Sequence, residues 1–342
     1  MKRQIWRAAL VGFGRMGAGY AEDAVMAKYY RYAAHAQVLR DHPRLDWQVV
    51  VESDPIAREV ALGRWEVPIA VSSTAELGCA AAEIDIVVLA TPPSARRGIL
   101  QGFPSLRAVL AEKPLGEDLS SANEFLKDCS ARELLVQVNL WRRADRGLRG
   151  LAYGGMTDLI GEPMVVNCLY GNGLLNNGSH MVDLIRMFFG EVEGFRVHNP
   201  GCWSENGPIP GDINPTFAMR MHSGLIVSFA PIDFRRYREN GMIVWGREGR
   251  LDILNEGLVV RHYPIVSNRA MSGEYEILND AGTDLQSTVG DALYWMYDNL
   301  LEALDRDDQQ LLHSPSASAL VTTQWVDEIF RKAVDGSGDL EG

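Results

Sequence analysis

Ile5-Trp6-Arg7-Ala8-Ala9-Leu10-Val11-Gly12-Phe13-Gly14-Arg15-Met16-Gly17 is the stretch that decides the fold. Ile5 to Val11 is a short apolar run that reads as a buried strand, and it leads directly into Gly-x-Gly-x-x-Gly. A helix is expected from about Arg15 onward. In such a strand–turn–helix, glycine removes Cβ atoms that would block close approach, and the backbone N–H groups of residues 12–17 can face a pyrophosphate. Gly12, Phe13, Gly14, Arg15, Met16 and Gly17 are therefore candidate dinucleotide contacts. The plain alternative is a tight turn with no ligand.

Strands and helices alternate downstream of this loop. Trp47 to Val51 is a second strand, ended by Glu52-Ser53-Asp54-Pro55. A helix carrying Arg58 to Leu62 follows, then a strand near Val67 to Val71 and a helix capped by Ser73 or Thr74. Ile84 to Ala90 is closed by Thr91-Pro92-Pro93, Ala108 to Ala111 by Glu112-Lys113-Pro114, and Leu134 to Val138 by Asn139. This rhythm predicts a parallel sheet with helices on both faces. Ligands of such sheets bind beyond the carboxyl ends of the strands, where Thr91, Pro92, Glu112 and Lys113 all fall.

An acid at the end of the second strand commonly holds the adenosine ribose, and Glu52 is placed for it. Its charge would repel a 2′-phosphate, which favours NAD, while Ser53 and Arg58 leave NADP open. Forty positions separate Gly12 from Glu52 (52 − 12), against roughly twenty to thirty in the usual motif. An insertion near Tyr20 to Ala34 accounts for the excess. Asp54, in an Asp-Pro turn, is expected to serve local structure.

After about Asn139 the rhythm changes. Thr216–Met221, Leu225–Ile232, Met242–Trp245, Arg250–Leu254 and Leu258–Tyr263 follow one another with short turns, as in an antiparallel meander. Helices return at about Val289–Leu304 and Ala317–Ala333. The expected division is a dinucleotide-binding domain over 1–140, a second domain over 141–334 and a frayed tail over 335–342.

Composition narrows the function classes. Of 342 residues, 46% are hydrophobic and 23% charged, as in a globular chain. A net charge of −12 argues against a phosphate-backbone binder, so no nucleic-acid partner is expected. The longest uncharged run, Pro163 to Val182, carries four asparagines and His180, too polar for a membrane span. Cys79, Cys129, Cys168 and Cys202 are far apart, with no metal-ligand spacing, so the expectation is free thiols in the cytoplasm and no metal.

Three groups could move a proton or polarise an oxygen. Lys113 emerges at a strand end, where an ammonium can orient a carbonyl or hydroxyl. His180 and Asp183, three apart in Gly178-Ser179-His180-Met181-Val182-Asp183, share one face if a helix starts at Gly178 or Ser179. Histidine exchanges a proton near neutral pH, and a carboxylate nearby raises its basicity. An ordinary capping pair is the plainer reading of His-x-x-Asp. The Tyr170–Asn177 stretch looks like a loop entering a pocket, which makes Asn176 and Asn177 candidate substrate contacts. Asn139, Arg142 and Arg143 could hold an anionic substrate group, or be surface residues. His35, His42, His198, His222, His262 and His313 read as structural or solvated.

Taken together, Gly12–Gly17, Ala90-Thr91-Pro92-Pro93, Glu112-Lys113-Pro114-Leu115, Gly161-Glu162-Pro163, Gly178–Asp183 and Phe189-Gly190-Glu191 resemble the Gfo/Idh/MocA family of NAD(P)-dependent oxidoreductases. The resemblance implies an N-terminal Rossmann domain plus a C-terminal α/β domain with a large, mostly antiparallel open sheet, whose exposed face often joins two copies into a homodimer or homotetramer. It also implies that Lys113 and His180 act at a substrate carbinol with Asp183 assisting, on a carbohydrate-like small molecule, with no membrane partner. A redox-neutral lyase or hydrolase that retains its cofactor, and a non-catalytic NAD-binding regulator, are the alternative readings. Two departures stand out. Arg96 or Arg97 occupies the region where the family often has a histidine, and the segment from Gly161 to His180 is shorter than usual.

Overall fold

The computed structural model describes residues 4–201, 204, 207–278 and 282–336. The chain falls into two compact units, Met1–Asp145 with Gly290–Val321 and Arg146–Val289 with Thr322–Gly342.

The first unit opens with β1 (Trp6–Val11), followed by α1 (His35–Asp41), β2 (Leu45–Val51), α2 (Pro55–Gly63), β3 (Ile69–Val71), β4 (Ile86–Leu89), α3 (Pro93–Gln101), β5 (Ala108–Ala111), α4 (Leu119–Ala131) and β6 (Leu135–Val138). The six strands form one sheet in the order β3-β2-β1-β4-β5-β6. All its pairings are parallel. Alternate side chains serve opposite faces, as a pleated strand requires. Ala8 and Leu10 of β1 join a core with Ala36, Val38 and Leu39 of α1. Ala9 and Val11 join another with Leu100 of α3 and Phe125 of α4. Strand order reverses between β1 and β4, so the loops after Val11 and Leu89 are neighbours, and Ala90 N–H donates to the Val11 carbonyl at 2.8 Å.

Two expected helices differ. No α-helix runs from Arg15. The loop closes as a turn, with the amides of Ala18 and Gly19 on the Gly14 carbonyl at 2.9 and 3.0 Å, and passes into 3-10 turns at Gly19–Glu22 and Met26–Lys28. The α-helix begins at His35, whose amide donates to Met16 O at 2.9 Å while that of Ala36 donates to Gly17 O at 2.9 Å. The insertion thus separates the glycine loop from the helix, whose first amides return to the loop's carbonyls. After Thr74 the chain forms 3-10 turns at Thr74–Glu76 and Gly78–Glu83, because Gly78 at φ +53° breaks the helical path between them.

The second unit contains α5 (Arg146–Gly150), α6 (Met156–Ile160), β7 (Pro163–Tyr170), α7 (Ser179–Phe189), β8 (Val192–Asn199), β9 (Thr216–Met221), β10 (Ile226–Pro231), β11 (Gly241–Gly246), β12 (Gly249–Leu254), β13 (Val259–Ser267), β14 (Tyr275–Ile277) and β15 (Thr283–Leu285). They build a nine-stranded sheet, β14-β13-β12-β11-β7-β10-β9-β8, with β15 beside β13. The meander is split. β7 lies between β10 and β11, parallel to the former and antiparallel to the latter. One face is buried through Val166, Cys168, Phe217, Phe229, Val244 and Leu251, with the rings of Phe217 and Phe229 stacked at 4.3 Å. The other face leaves Val165 and Ile226, neighbours across the β7–β10 pairing, exposed.

Helix α8 (Ala292–Arg306) returns to the first unit, and α9 (Ser316–Val334) is divided between the units after Val321. Residues 290–321, placed with the C-terminal domain in the 141–334 expectation, group with the first unit for a physical reason. Leu293, Met296, Tyr297, Leu300 and Leu304 complete the core around Leu10 and α1. Of the expected tail, 337–342 lie outside the described residues, as does Cys202. Among the described residues no helix is long and apolar enough to cross a membrane.

Candidate active site

The three glycines of the loop do different work. Gly12 holds φ +91°, and a Cβ there would meet the Ala90 carbonyl oxygen at 2.5 Å. A Cβ on Gly17 would collide with the Gly12 carbonyl. A Cβ on Gly14 would have no atom within 4 Å. Gly12 and Gly17 therefore answer to the turn itself, whereas Gly14 is dispensable for packing and faces open space. That is the division of labour a pyrophosphate-binding loop requires.

Glu52 closes the loop from the end of β2. Its Oε2 accepts from Phe13 N at 2.6 Å, and its Oε1 accepts from Asp54 N at 3.0 Å and Ser53 Oγ at 3.1 Å. Burial alone would push the carboxyl up, but the amides of Asp54 and Phe13 outweigh it and hold the group below the usual carboxylate range. The long spacing in sequence is erased in space. Asp54 takes the local role expected of it, accepting from Ile56 N at 2.9 Å to cap α2. Arg58 donates to the main-chain oxygens of Glu52 and Ser53, both at 2.7 Å.

Thr91, Pro92, Glu112, Lys113 and Asn139 follow the adjacent strands β4, β5 and β6. Arg96, only 1% exposed, ties two of these loops together. It donates to Thr91 O at 2.9 Å and to Pro114 O at 2.6 Å, and the Lys113–Pro114 bond is cis. Burial lowers the Arg96 pKa to about 10 against the opposing charge of Glu112. Glu112 Oε1 accepts from Asn139 Nδ2 at 2.6 Å and lies 2.9 Å from His35 Nε2. Burial would raise the Glu112 pKa, yet the hydrogen bond from His35, with Asn139 and the Lys113 charge, brings it below the usual value. Thr91 Oγ1 and Asn139 Oδ1 are buried with no partner among the described residues, as polar atoms awaiting a ligand would be. Arg142 and Arg143 are buried, not surface residues; Arg142 lies 4.2 Å from the Trp141 ring centroid.

In the second unit His180 sits in the first turn of α7 and Asp183 one turn on. Asp183 is buried, and its Oδ1 accepts from Thr322 Oγ1 at 2.9 Å. Thr322 Oγ1 in turn accepts from Arg186 Nη1 at 2.6 Å, and the Arg186 fork grips Glu191 at 2.7 and 2.9 Å. Before α7 the chain makes a wide helical turn, Leu174–Gly178, where an open loop was expected. Asp212 holds it, accepting from Leu175 N at 3.0 Å and Asn176 N at 3.1 Å. Asn177 Nδ2 is buried with no partner among the described residues.

Five residues here carry no motif and were not read as part of the site from sequence: His35, Arg96, Asp212, Thr322 and Arg186. Arg96 alone had a signal, its place after Thr-Pro-Pro. The others act through contacts distant in sequence or, for Arg186, through a helix face shared with Asp183.

These two units define a class, a six-stranded parallel sheet with a glycine loop after its first strand and a second, mixed sheet of nine strands. No family model matches the chain. It is similar to an inositol 2-dehydrogenase of Rhodococcus erythropolis, 36% identical over 101 residues, covering 29% of this chain and 29% of that protein. It is also similar to trans-1,2-dihydrobenzene-1,2-diol dehydrogenase of Oryctolagus cuniculus, 27% identical over 216 residues, covering 55% and 65%. Both matches span less than two thirds of the relative's length. Among solved structures, the WlbA dehydrogenase of Bordetella pertussis, in complex with NADH and UDP-GlcNAcA, shares the fold at a TM-score of 0.69, with 18% identity and 98% of each chain covered. The chain is thus similar in sequence to these dehydrogenases over part of its length, and similar in fold to a solved structure over nearly all of it.

Proposed function

We propose that the chain is an NAD-dependent dehydrogenase that interconverts a secondary alcohol and a ketone on a sugar, nucleotide sugar or polyol. The observation that carries this reading is Gly14, a loop position kept free of a side chain with nothing of the protein's own to avoid. The residues fit the group. Gly12 to Gly17 would hold the pyrophosphate, Glu52 the adenosine ribose, and Thr91, Pro92, Glu112 and Lys113 the nicotinamide end. When bound, the nicotinamide ring gives or takes the hydride.

The protein's own groups do the rest. His180 exchanges the proton with the substrate oxygen, Lys113 polarises that oxygen, and Asp183 stabilises the charged imidazole. Asn176, Asn177, Arg142 and Arg143 orient the substrate; Asn139, with its amide nitrogen on Glu112, offers its oxygen. The inositol, diol and nucleotide-sugar relatives support a cyclic polyhydroxylated substrate. The exposed apolar strip of the second sheet supports assembly with a second copy of this chain. The free thiols Cys79, Cys129 and Cys168 support a cytoplasmic setting.

The test is native mass spectrometry for bound nucleotide, followed by NADH formation from NAD with a panel of inositols, dihydrodiols and nucleotide sugars. NADH formation that drops about 10²–10⁴-fold in His180→Ala and Lys113→Ala is the expected result. A protein that binds neither NAD(H) nor NADP(H) sinks the proposal.

A further inference from the structure

We propose that His35, on the helix that begins after the insertion, is a positioning residue that fixes Glu112 for the dinucleotide site beside Lys113. The inference rests on the dehydrogenase reading above and deepens it.

His35 is the first residue of α1, and its side chain is fully buried. Its Nδ1 lies 2.8 Å from the Tyr297 hydroxyl and its Nε2 lies 2.9 Å from Glu112 Oε1. Assigned from the network, the hydrogens run one way. An ionised Glu112 only accepts, so Nε2 carries hydrogen and Nδ1 is left to accept from the phenol. Tyr297 is suited to donate, since burial first and the Glu112 charge second keep its proton on. The imidazole is thus clamped at both nitrogens between α8 and the end of β5.

The groups facing Glu112 come from every neighbouring element. They are His35 on α1, Tyr297 on α8 behind it, Asn139 after β6, Arg96 on α3, and Lys113 next in the chain. His35 and Asn139 both bind Oε1, which leaves Oε2 with no hydrogen bond among the described residues. A carboxylate held by one oxygen and open at the other is oriented toward whatever docks there. Packing alone would be satisfied by an apolar ring in this buried place. What the imidazole adds is a fixed direction for the carboxylate.

A double-mutant cycle tests this, with NADH and NADPH binding followed by nucleotide fluorescence in the whole protein. His35→Phe keeps a ring of similar size and removes the hydrogen bond to a charged acceptor. It is expected to weaken binding by about ten- to a hundredfold. His35→Gln, whose amide can still donate to Glu112, should recover most of that loss, which mere core filling would not explain. In a Glu112→Gln background His35→Phe should cost little more, because the two act as one unit. Tyr297→Phe, which deletes only a hydroxyl, gives the same pattern at smaller size and serves if His35→Phe fails to fold. Equal losses in both backgrounds, or no loss in His35→Phe, would overturn the inference while wild-type binding upholds the dehydrogenase reading. Wild-type protein that binds neither nucleotide overturns both.

Discussion

At Gly14 and Gly17 the same substitution has opposite meanings. Gly17→Ala drives a methyl into the Gly12 carbonyl, so the turn must open, and the melting temperature should fall by several degrees. Gly14→Ala meets nothing, so stability should hold while NADH binding is lost. A Gly14→Ala variant that binds normally would show that no phosphate comes close. Glu52 makes a pH-dependent prediction. Its folded pKa is lowered, as is that of Glu112, so the stabilisation from both is complete above about pH 4.5 and is lost as pH falls through the folded values. Thermal melts from pH 7 to 3 should show a decline beginning below that point, shallower in Glu52→Gln. Gly12 and Gly17 were legible in sequence as turn residues, because the turn leaves no room for a Cβ at either position. The loop strap that Glu52 makes to Phe13 was not, since a contact across thirty-nine positions leaves no local pattern.

Elements were legible wherever hydrophobic periodicity was uninterrupted. β5 over Ala108–Ala111 and β9 over Thr216–Met221 fall where their apolar runs predict. The helix expected at Arg15 failed for the opposite reason. Tyr20–Ala34 has helix-compatible residues, but its path is set by bonds from α1 back to Met16 and Gly17, which no window of neighbours contains. The placement of β7 between β10 and β11 was hidden in the same way. Helix α7 offers a test at this scale. Thr322→Val removes the hydroxyl that links Asp183 to Arg186 and leaves a buried carboxylate short of a donor. The expected cost is about 1–3 kcal/mol of stability by chemical denaturation. Unchanged stability would mean that the carboxylate finds another donor.

For the whole molecule, the second sheet matters most. The second copy proposed above would cover Val165 and Ile226, neighbours on the face that the nine-stranded sheet leaves in water. Val165→Asp should shift sedimentation toward a smaller species while the fold, followed by circular dichroism, is retained. A wild-type monomer would remove the need for a partner. The outline of two α/β domains was readable because the rhythm of elements changes near Asn139. The return of α8 to the first unit was not, because an amphipathic helix does not announce which core it completes.

The amides of His35 and Ala36 lie within a hydrogen bond of the carbonyls of Met16 and Gly17, so residues 18–34 leave and rejoin the path from β1 to α1 at nearly one point. Geometrically they are a closed detour, tied to the core at its two ends by Ala18 and Tyr32. Segments of other lengths could be spliced at that neck without moving β1 or β2. Counting residues between a glycine loop and its acid then measures the detour and not the distance between them.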